Sequence, residues 1–297
     1  MMKHEIQINI QISMQKWNVS GITYNDLGAY GNVIFSRIPL TKVHHLAFEK
    51  TKMGRKLVCA EFTLGDSSES FYVGNVHLES LNPNLKYRIE QLKEVWSFFN
   101  DTIRDEKKRQ HFFLMGDFNQ CGTHPYLKTS KSSTKTIDPL PIDKKLWSDS
   151  WLVAYQNDLN TNPGYTMPES NFFNAWRPDR ILYQFDTKAQ LHMDAANNLE
   201  WKLQSIERIG MEEMPLTEEE IQAQLSNSDM KVLTPSDHYG VFTTFVLGNE
   251  DMVSQDISQN KKSQKTSFGE EEKKPQDASQ NKESHAVPFE AEEKKQE

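Results

Sequence analysis

The sequence predicts an α/β fold, a mixed domain built from layers of sheet and helix. Three observations predict it. Short apolar runs bounded by turn residues recur along the chain, as in buried strands. One longer stretch repeats its apolar residues every three or four positions, as in an amphipathic helix. Because strand-like runs precede and follow that stretch, we expect layers of sheet and helix.

The first clear strand signals lie before the helix. Gly31–Leu40 is a short apolar run that Pro39 stops. Leu57–Leu64 and Phe71–Leu78 flank the turn-like segment Gly65–Ser68, which predicts a hairpin. Upstream, the first residues alternate polar and apolar like a strand but are otherwise hard to interpret.

The helix is predicted over residues 85–103, where the charged residues fall between the apolar ones. Its apolar positions are Leu85, Ile89, Leu92, Trp96, Phe99 and Ile103. Phe112–Met115, Arg180–Tyr183 and Val241–Leu247 predict three later strands. Residues 121–150 are rich in Ser, Thr, Lys and Pro and predict a surface loop. Thr217–Ile221 begins with a capping box and predicts the start of a short helix in an insertion.

Composition limits the partners of this 297-residue chain. Its formal net charge is −8, so it lacks the overall basic excess of a protein that coats duplex nucleic acid. Any phosphate binding must therefore depend on a local site. Two cysteines define no disulfide framework and suit a reducing compartment, so we expect an intracellular monomer, nuclear or cytoplasmic. No secretory signal and no apolar run of membrane-spanning length is present, so no membrane partner is expected.

Two domains are predicted: a folded domain over residues 1–248 and a low-complexity tail over residues 249–297. The tail has 12 acidic and 8 basic residues and almost no large apolar ones. Asp256–Lys274 resembles Asp277–Lys295, which indicates a duplicated unit of about 20 residues. Such a segment cannot bury a core, so we expect it to be disordered and available to protein partners.

The stretch with the most chemical promise follows the strand Phe112–Met115. Gly116 permits a bend, and Asp117 and Asn119 then project to one side, because side chains alternate with period two. A carboxylate and an amide at the end of a buried strand suit a hard cation or an activated water. A polar turn after a core strand explains the same residues equally well.

Two other predicted strands end or begin with groups that can handle a phosphate. His77 follows the second hairpin strand, and Asp237-His238 precedes the last strand. Each alone is also compatible with a structural role. Because α/β sheets gather ligands where strand ends meet, these groups and Asp117 together predict metal-assisted phosphodiester hydrolysis.

Four ordered segments resemble the endonuclease/exonuclease/phosphatase superfamily over about residues 20–248. They are Gly31-Asn-Val-Ile-Phe-Ser-Arg-Ile-Pro39, Asn75-Val-His-Leu78, Gly116-Asp-Phe-Asn119 and Ser236-Asp-His238. Within the superfamily the likeness is closest to 5′-tyrosyl-DNA phosphodiesterases. The residues that indicate this are Thr51–Arg55, His77–Ser80, Arg88–Leu92, Gly164–Thr166 and Arg177–Leu182.

The resemblance implies roles for five catalytic residues. Asp117 would activate the attacking water, and Asn119 would hold the phosphate or the metal. His238 would contact the scissile phosphate, with Asp237 orienting its imidazole. His77 would be a second phosphate contact.

The resemblance also implies a cofactor and a substrate surface. Mg²⁺, or Mn²⁺ in its place, would be held by Asp117, Asn119, Asp237 and His238. Ser80, Tyr165 and Asp179 would contact the substrate, which would be a single-stranded DNA end of the kind processed in DNA repair.

The front of the chain departs from the superfamily pattern. The pattern has an Asn-containing strand and a metal-binding Glu ahead of the Gly31 segment, and neither is evident in the first 30 residues. Glu5 is the one weak candidate for that Glu. We therefore expect an N-terminally truncated, mis-started or degenerate member. The resemblance implies a layered α/β sandwich of two packed mixed β-sheets flanked by helices, here lacking its first strands. Three functions remain open: a nucleic-acid phosphodiesterase, the same fold acting on a lipid, inositol or RNA phosphate ester, and an impaired member acting as a binding or scaffold protein.

Overall fold

The computed structural model describes residues 5–7, 18–19, 31–63, 69–120, 138–169, 174–186, 200–212 and 236–248. Three predicted segments lie outside these residues: the turn at 65–68, the capping-box segment at 217–221 and the tail at 249–297. Among the described residues, no helix is long and apolar enough to cross a membrane.

The described chain is mainly β-structure with one long helix. Its strands are β1 (Glu5–Gln7), β2 (Asn18–Val19), β3 (Phe35–Ser36), β4 (Lys42–Ala47), β5 (Lys56–Thr63), β6 (Glu69–His77), β7 (Arg109–Asp117), β8 (Ser148–Asp149), β9 (Asp179–Gln184), β10 (Glu200–Ile209) and β11 (Gly240–Gly248). Its helices are a 3₁₀ turn (Asn82–Asn84), α1 (Leu85–Ser97), a π-helical continuation (Phe98–Ile103) and α2 (Ser150–Ala154).

The strands form one large mixed sheet and a smaller second one. The large sheet has the order β4-β5-β6-β7-β9-β8, in which β6 and β7 are parallel and the other pairs are antiparallel. The second sheet has the order β1-β11-β10, and β2 pairs with β3 in a separate ladder. The predicted mixed α/β class is confirmed. The second sheet, as described, is entirely antiparallel, where a mixed one was predicted.

Each face of the large sheet has its own apolar core. Phe112 and Leu114, at even positions of β7, pack with Leu92 of α1. Phe113 points the opposite way, and its ring centroid lies 5.1 Å from that of Phe245 in β11. Burying each such side chain stabilises the fold by about 1.5–3 kcal/mol. Because side chains alternate, Asp117 projects from the same face as Phe113, toward the second sheet.

Several element predictions are confirmed. β5 and β6 pair antiparallel as the predicted hairpin strands, and β7, β9 and β11 correspond to the three later predicted strands. The predicted helix forms as α1 with its π-helical continuation, and buries Leu92, Val95 and Phe99.

Three predictions are corrected. The Gly31–Leu40 run forms a strand only at β3, where Phe35–Ser36 pairs with β2. Residues 138–150 of the predicted surface loop include β8 and the buried Leu140 and Trp147, because the apolar residues there cover the helix-facing core. β2 contains Asn18, so an Asn-containing strand does precede Gly31.

Candidate active site

Strand register places the predicted reactive groups side by side. His77 at the end of β6 is opposite Asp117 at the end of β7, and Asp117 is opposite Asp179 at the start of β9. Paired residues on neighbouring strands project to the same face. The backbone pairing alone therefore gathers an imidazole and two carboxylates on the face toward the second sheet.

Gly116 allows β7 to reach this edge. Its φ is +127°, a conformation that glycine adopts without steric cost, and a Cβ there would lie 1.9 Å from the Val76 carbonyl oxygen. The close approach of the two backbones therefore requires glycine one residue before Asp117.

Asp117 is held by its neighbours. Its Oδ1 accepts a 2.7 Å hydrogen bond from the Asn119 backbone N–H, and its Oδ2 lies 3.3 Å from the Asn119 amide nitrogen. Asn119 also donates to the Leu78 carbonyl at 3.0 Å, which fixes its side chain. Burial, followed by the charge of Asp179, raises the pKa of Asp117 to about 6. Asp117 thus titrates close to neutral pH, as a water-activating group should.

His238 is held by Asp179. Nδ1 of the imidazole lies 2.8 Å from Asp179 Oδ2, and the Thr166 hydroxyl donates to the same oxygen at 2.6 Å. The Thr166 carbonyl in turn accepts from the Tyr239 N–H at 2.7 Å, next to His238. The hydrogen bond to Asp179 is the main cause that raises the pKa of His238 to about 9. The imidazole is therefore protonated at neutral pH.

This pairing corrects the role predicted for Asp237. Asp237 is exposed, and its Oδ1 lies 3.3 Å from the Ser236 hydroxyl. Asp237 lies in the bend before β11, and the carboxylate bonded to the imidazole is that of Asp179. The carboxylate that orients the imidazole is Asp179, which the sequence placed among the substrate contacts.

Three side chains lie close enough together for a metal site, and because His238 is protonated, the two carboxylates among them would be the ligands. One ligand atom each from Asp117, Asp179 and His238 lies within 4.8 Å of the others. Two carboxylates suit a divalent cation such as Mg²⁺, which binds few protein carboxylates and keeps several waters. Asp237 is outside this group, and Asn119 contributes here by holding Asp117.

The structure does not bring Glu5 to this cluster. Its backbone pairs with Val246, six positions along β11 from Gly240. At roughly 3.3 Å per residue, this is about 20 Å from the end of β11 that adjoins His238. The backbone pairing therefore gives no support to Glu5 as a metal ligand.

Arg55 lies in the Thr51–Arg55 motif, but no role in the site was predicted for it. Its guanidinium donates to the Ser80 hydroxyl at 2.9 Å, and it lines a crevice with Asn32 and His77. Burial and then the Arg55 charge lower the pKa of His77 to about 4. His77, whose Nε2 is 3.3 Å from Asp117 Oδ2, is therefore neutral at physiological pH. Ser80 is thus connected to the site by its hydrogen bond with Arg55.

Tyr165 directly precedes the site residue Thr166, and its backbone carbonyl accepts a 2.8 Å hydrogen bond from Arg208. The residue of this segment that contacts the reactive groups is the buried Thr166. The sequence analysis did single out the segment Gly164-Tyr165-Thr166. Nothing in the sequence, however, shows which of these three residues faces Asp179.

An apolar cleft of about 460 Å³ opens beside His238. Its walls come from β7, β9, β10 and β11, and include Met115, Ile181, Val241 and Phe242. A substrate whose phosphate reaches His238 can therefore place an apolar group in this cleft.

The protein is thus an α/β sandwich with carboxylates and imidazoles gathered at its strand ends, which is the set of groups that phosphoester hydrolysis uses. Residues 10–238 match the model of the Endonuclease/Exonuclease/phosphatase family, so the protein belongs to that family. Members of the family are hydrolytic phosphoesterases. No curated protein matches the sequence.

Solved structures to which this chain is similar include a TDP2 from Caenorhabditis elegans, at 17% identity and a TM-score of 0.44. That match covers 73% of this chain and 53% of the other, so the chain spans about half the length of that protein. A D. rerio TDP2 complexed with single-strand DNA product has 17% identity and a TM-score of 0.48, with 82% and 76% covered. A Bacteroides thetaiotaomicron mannosyl-6-phosphatase has 17% identity and a TM-score of 0.44, with 78% and 77% covered. Identities this low show the fold alone.

Proposed function

We propose that this protein is a metal-dependent phosphodiesterase that hydrolyses a 5′-tyrosyl-DNA or related nucleic-acid phosphodiester. One observation carries the proposal: one ligand atom each from Asp117, Asp179 and His238 lies within 4.8 Å of the others, where two neighbouring strands of the large sheet meet the segment before β11. A carboxylate that titrates near neutrality and a protonated imidazole are the base and the charge-stabilising group that such hydrolysis needs.

The proposed reaction divides between the two halves of the site. Asp117, held by Asn119, orients the attacking water and takes its proton. His238, kept protonated by Asp179, donates to a phosphate oxygen and stabilises the charge of the transition state. The neutral His77 supplies a further hydrogen bond to the phosphate.

We propose Mg²⁺ as the cofactor, with Mn²⁺ able to replace it, held by the carboxylates of Asp117 and Asp179. When bound, the cation neutralises charge on the phosphate oxygens. The remaining groups act through their own hydrogen bonds, so their arrangement does not depend on the ion.

The cleft beside His238 supports an ester with an apolar or aromatic leaving group. Its apolar walls favour a tyrosyl ester over an inositol or sugar phosphate, whose hydroxyls would lose water without gaining partners there. The likeness to 5′-tyrosyl-DNA phosphodiesterases in the sequence motifs is consistent with this choice. A single-stranded DNA end and a role in DNA repair follow as part of the same proposal.

Hydrolysis of a substrate panel tests the proposal. With Mg²⁺, the protein should release product from a 5′-tyrosyl oligonucleotide faster than from lipid, inositol or RNA phosphate esters, and EDTA should abolish the reaction. Asp117→Asn and His238→Ala should each lower kcat by about 100-fold or more. Absence of turnover, together with no thermal stabilisation by millimolar Mg²⁺, would support a non-catalytic binding protein instead.

A further inference from the structure

Two exposed lysines lie against a half-buried aromatic ring on α1. Lys52 Nζ is 5.2 Å and Lys86 Nζ is 5.4 Å from the centroid of the Tyr87 ring. Both distances are within the range of cation–π contacts. The ring thus has two positive charges close to it, and we call these three residues the Tyr87 strip.

The positive charge of the strip is not cancelled by the neighbouring acid. Glu90 is already paired, because its oxygens lie 2.9 Å from Lys93 Nζ and 3.9 Å from Lys50 Nζ. Among the described residues, neither ammonium of the strip has a carboxylate within ion-pair distance. The whole chain has a net charge of −8, so the positive charge of the strip is local to this part of the surface.

The loop at residues 51–55 connects the strip to the active site. The buried Glu79 accepts from the Lys52 N–H and from the Thr51 hydroxyl, each at 2.9 Å, which fixes the loop. At the other end of the loop, Arg55 donates to Ser80. Lys52 and Arg55 are three residues apart, so their Cα atoms lie within about 11 Å of each other.

Leu81 adds an apolar side chain directly after Ser80. It is 72% exposed and has a φ of +73°, which is rare for a leucine. The buried Arg88 donates to its carbonyl at 2.8 Å, and the Asn84 N–H donates at 3.1 Å. The surrounding structure therefore holds a leucine in a strained conformation, with its side chain in solvent, beside the site.

We propose that the Tyr87 strip and Leu81 bind the single strand of nucleic acid that leads to the scissile phosphate. Unpaired bases stack on the Tyr87 ring and contact Leu81, while the backbone phosphates lie against Lys52 and Lys86. Aromatic faces flanked by cations are the means by which proteins hold single strands without reading sequence. The inference rests on the proposed nucleic-acid phosphodiesterase function and adds the path of the polymer.

Binding of a labelled ten-nucleotide oligothymidylate, measured by fluorescence anisotropy, tests the inference without turnover if every protein also carries Asp117→Asn. Tyr87→Ala should weaken binding about 10-fold or more, whereas Tyr87→Phe, which keeps the ring, should bind like its parent. The double variant Lys52→Ala/Lys86→Ala should lower the slope of log affinity against log salt by about one. Lys107→Ala/Lys108→Ala, which removes two exposed lysines before β7, should match the parent.

Loss of affinity in the strip variants, but not in the Lys107/Lys108 control, supports the inference. Repeating the measurement with an oligouridylate of the same length shows whether DNA or RNA is the polymer bound. Binding within twofold of the parent in both Tyr87→Ala and the Lys52/Lys86 variant overturns it, as does an equal loss in the Lys107/Lys108 control. The substrate panel is independent of this result. A protein that binds through the strip but hydrolyses nothing contradicts only the proposed function, and one that hydrolyses the ester with strip variants binding normally contradicts only the inference.

Discussion

The Asp179–His238 hydrogen bond sets the charge of the imidazole, and its removal can be followed directly. At 2.8 Å this bond raises the pKa of His238, so the imidazole is protonated at neutral pH. In Asp179→Asn the charged partner is lost while burial remains. The pKa should then fall from about 9 to the ordinary value of about 6.5 or lower.

An NMR titration of His238 in the metal-free protein measures this change. Asp237→Asn is the matched control, because it removes a neighbouring carboxylate that does not bond to the imidazole, and it should lower the pKa much less. An equal fall in the two variants would show that Asp179 has no special role.

Alanine substitutions at Gly116 and Gly54 distinguish steric clash from backbone strain, because both glycines have a positive φ. Gly116→Ala should destabilise the protein by about 3 kcal/mol or more, because its Cβ would overlap the Val76 carbonyl. Gly54→Ala meets nothing within 4 Å and should cost only about 1–2 kcal/mol of conformational strain. Urea denaturation measures both, and equal losses would contradict the close approach of β6 and β7.

At this scale the sequence motifs predict most of the reacting groups but not their pairing. Asp117, His77 and His238 were found because each adjoins a recognisable strand. The His238–Asp179 contact spans 59 positions and depends on register, so the adjacent Asp237 was the wrong choice of partner. The role of Arg55 could not be read from its motif for the same reason, since its place beside His77 follows from how the loop at 51–55 docks.

At the scale of elements, Asp149 joins α2 to the loop before β9. It caps α2 by accepting from Trp151 N–H and Leu152 N–H, and both of its oxygens accept from Arg177 at 3.0 and 2.9 Å. Although burial alone raises the pKa of Asp149, the charge and hydrogen bonds of Arg177 hold it below its ordinary value. The stabilisation is therefore present above about pH 4 and is lost as pH falls through the lowered pKa.

Asp149→Asn should lower the free energy of unfolding at pH 7 by about 3 kcal/mol, because Arg177 remains buried without its partner. The wild-type protein should lose more stability than the variant between pH 7 and pH 3. Chemical denaturation at the two pH values measures this, and parallel losses would refute the assigned role. Asp143→Asn, which removes a carboxylate outside this ion pair, is the control.

Elements with an uninterrupted apolar pattern were predictable, and two others were not. β4 is an edge strand with Lys42, His44 and His45, so it lacks the apolar run of a buried strand. β10 alternates from Trp201 to Leu203, but a register shift between Leu203 and Ser205 breaks the period. Pairing across the sheet, which a local pattern does not contain, creates both strands.

In the folded region as a whole, the two sheets are joined at the end away from the site. Glu69 on β6 accepts from Arg109, His111 and Trp201, and the last of these belongs to β10. This connection and the Phe113–Phe245 contact keep the sheets in place while their other ends carry Asp117 and His238. The family match and the strand-end cluster together support the central proposal, that this end of the fold is a metal-dependent hydrolytic centre.

Mn²⁺ binding, followed by electron paramagnetic resonance, tests that claim most directly. We expect Asp117→Asn and Asp179→Asn each to weaken binding about 10-fold or more, because each removes a charged ligand of the three-residue group. Asp101→Asn, which removes an exposed carboxylate on the π-helical turn, should bind Mn²⁺ like the wild-type protein. Unchanged binding in Asp117→Asn and Asp179→Asn would contradict the account, since the metal would then be held elsewhere.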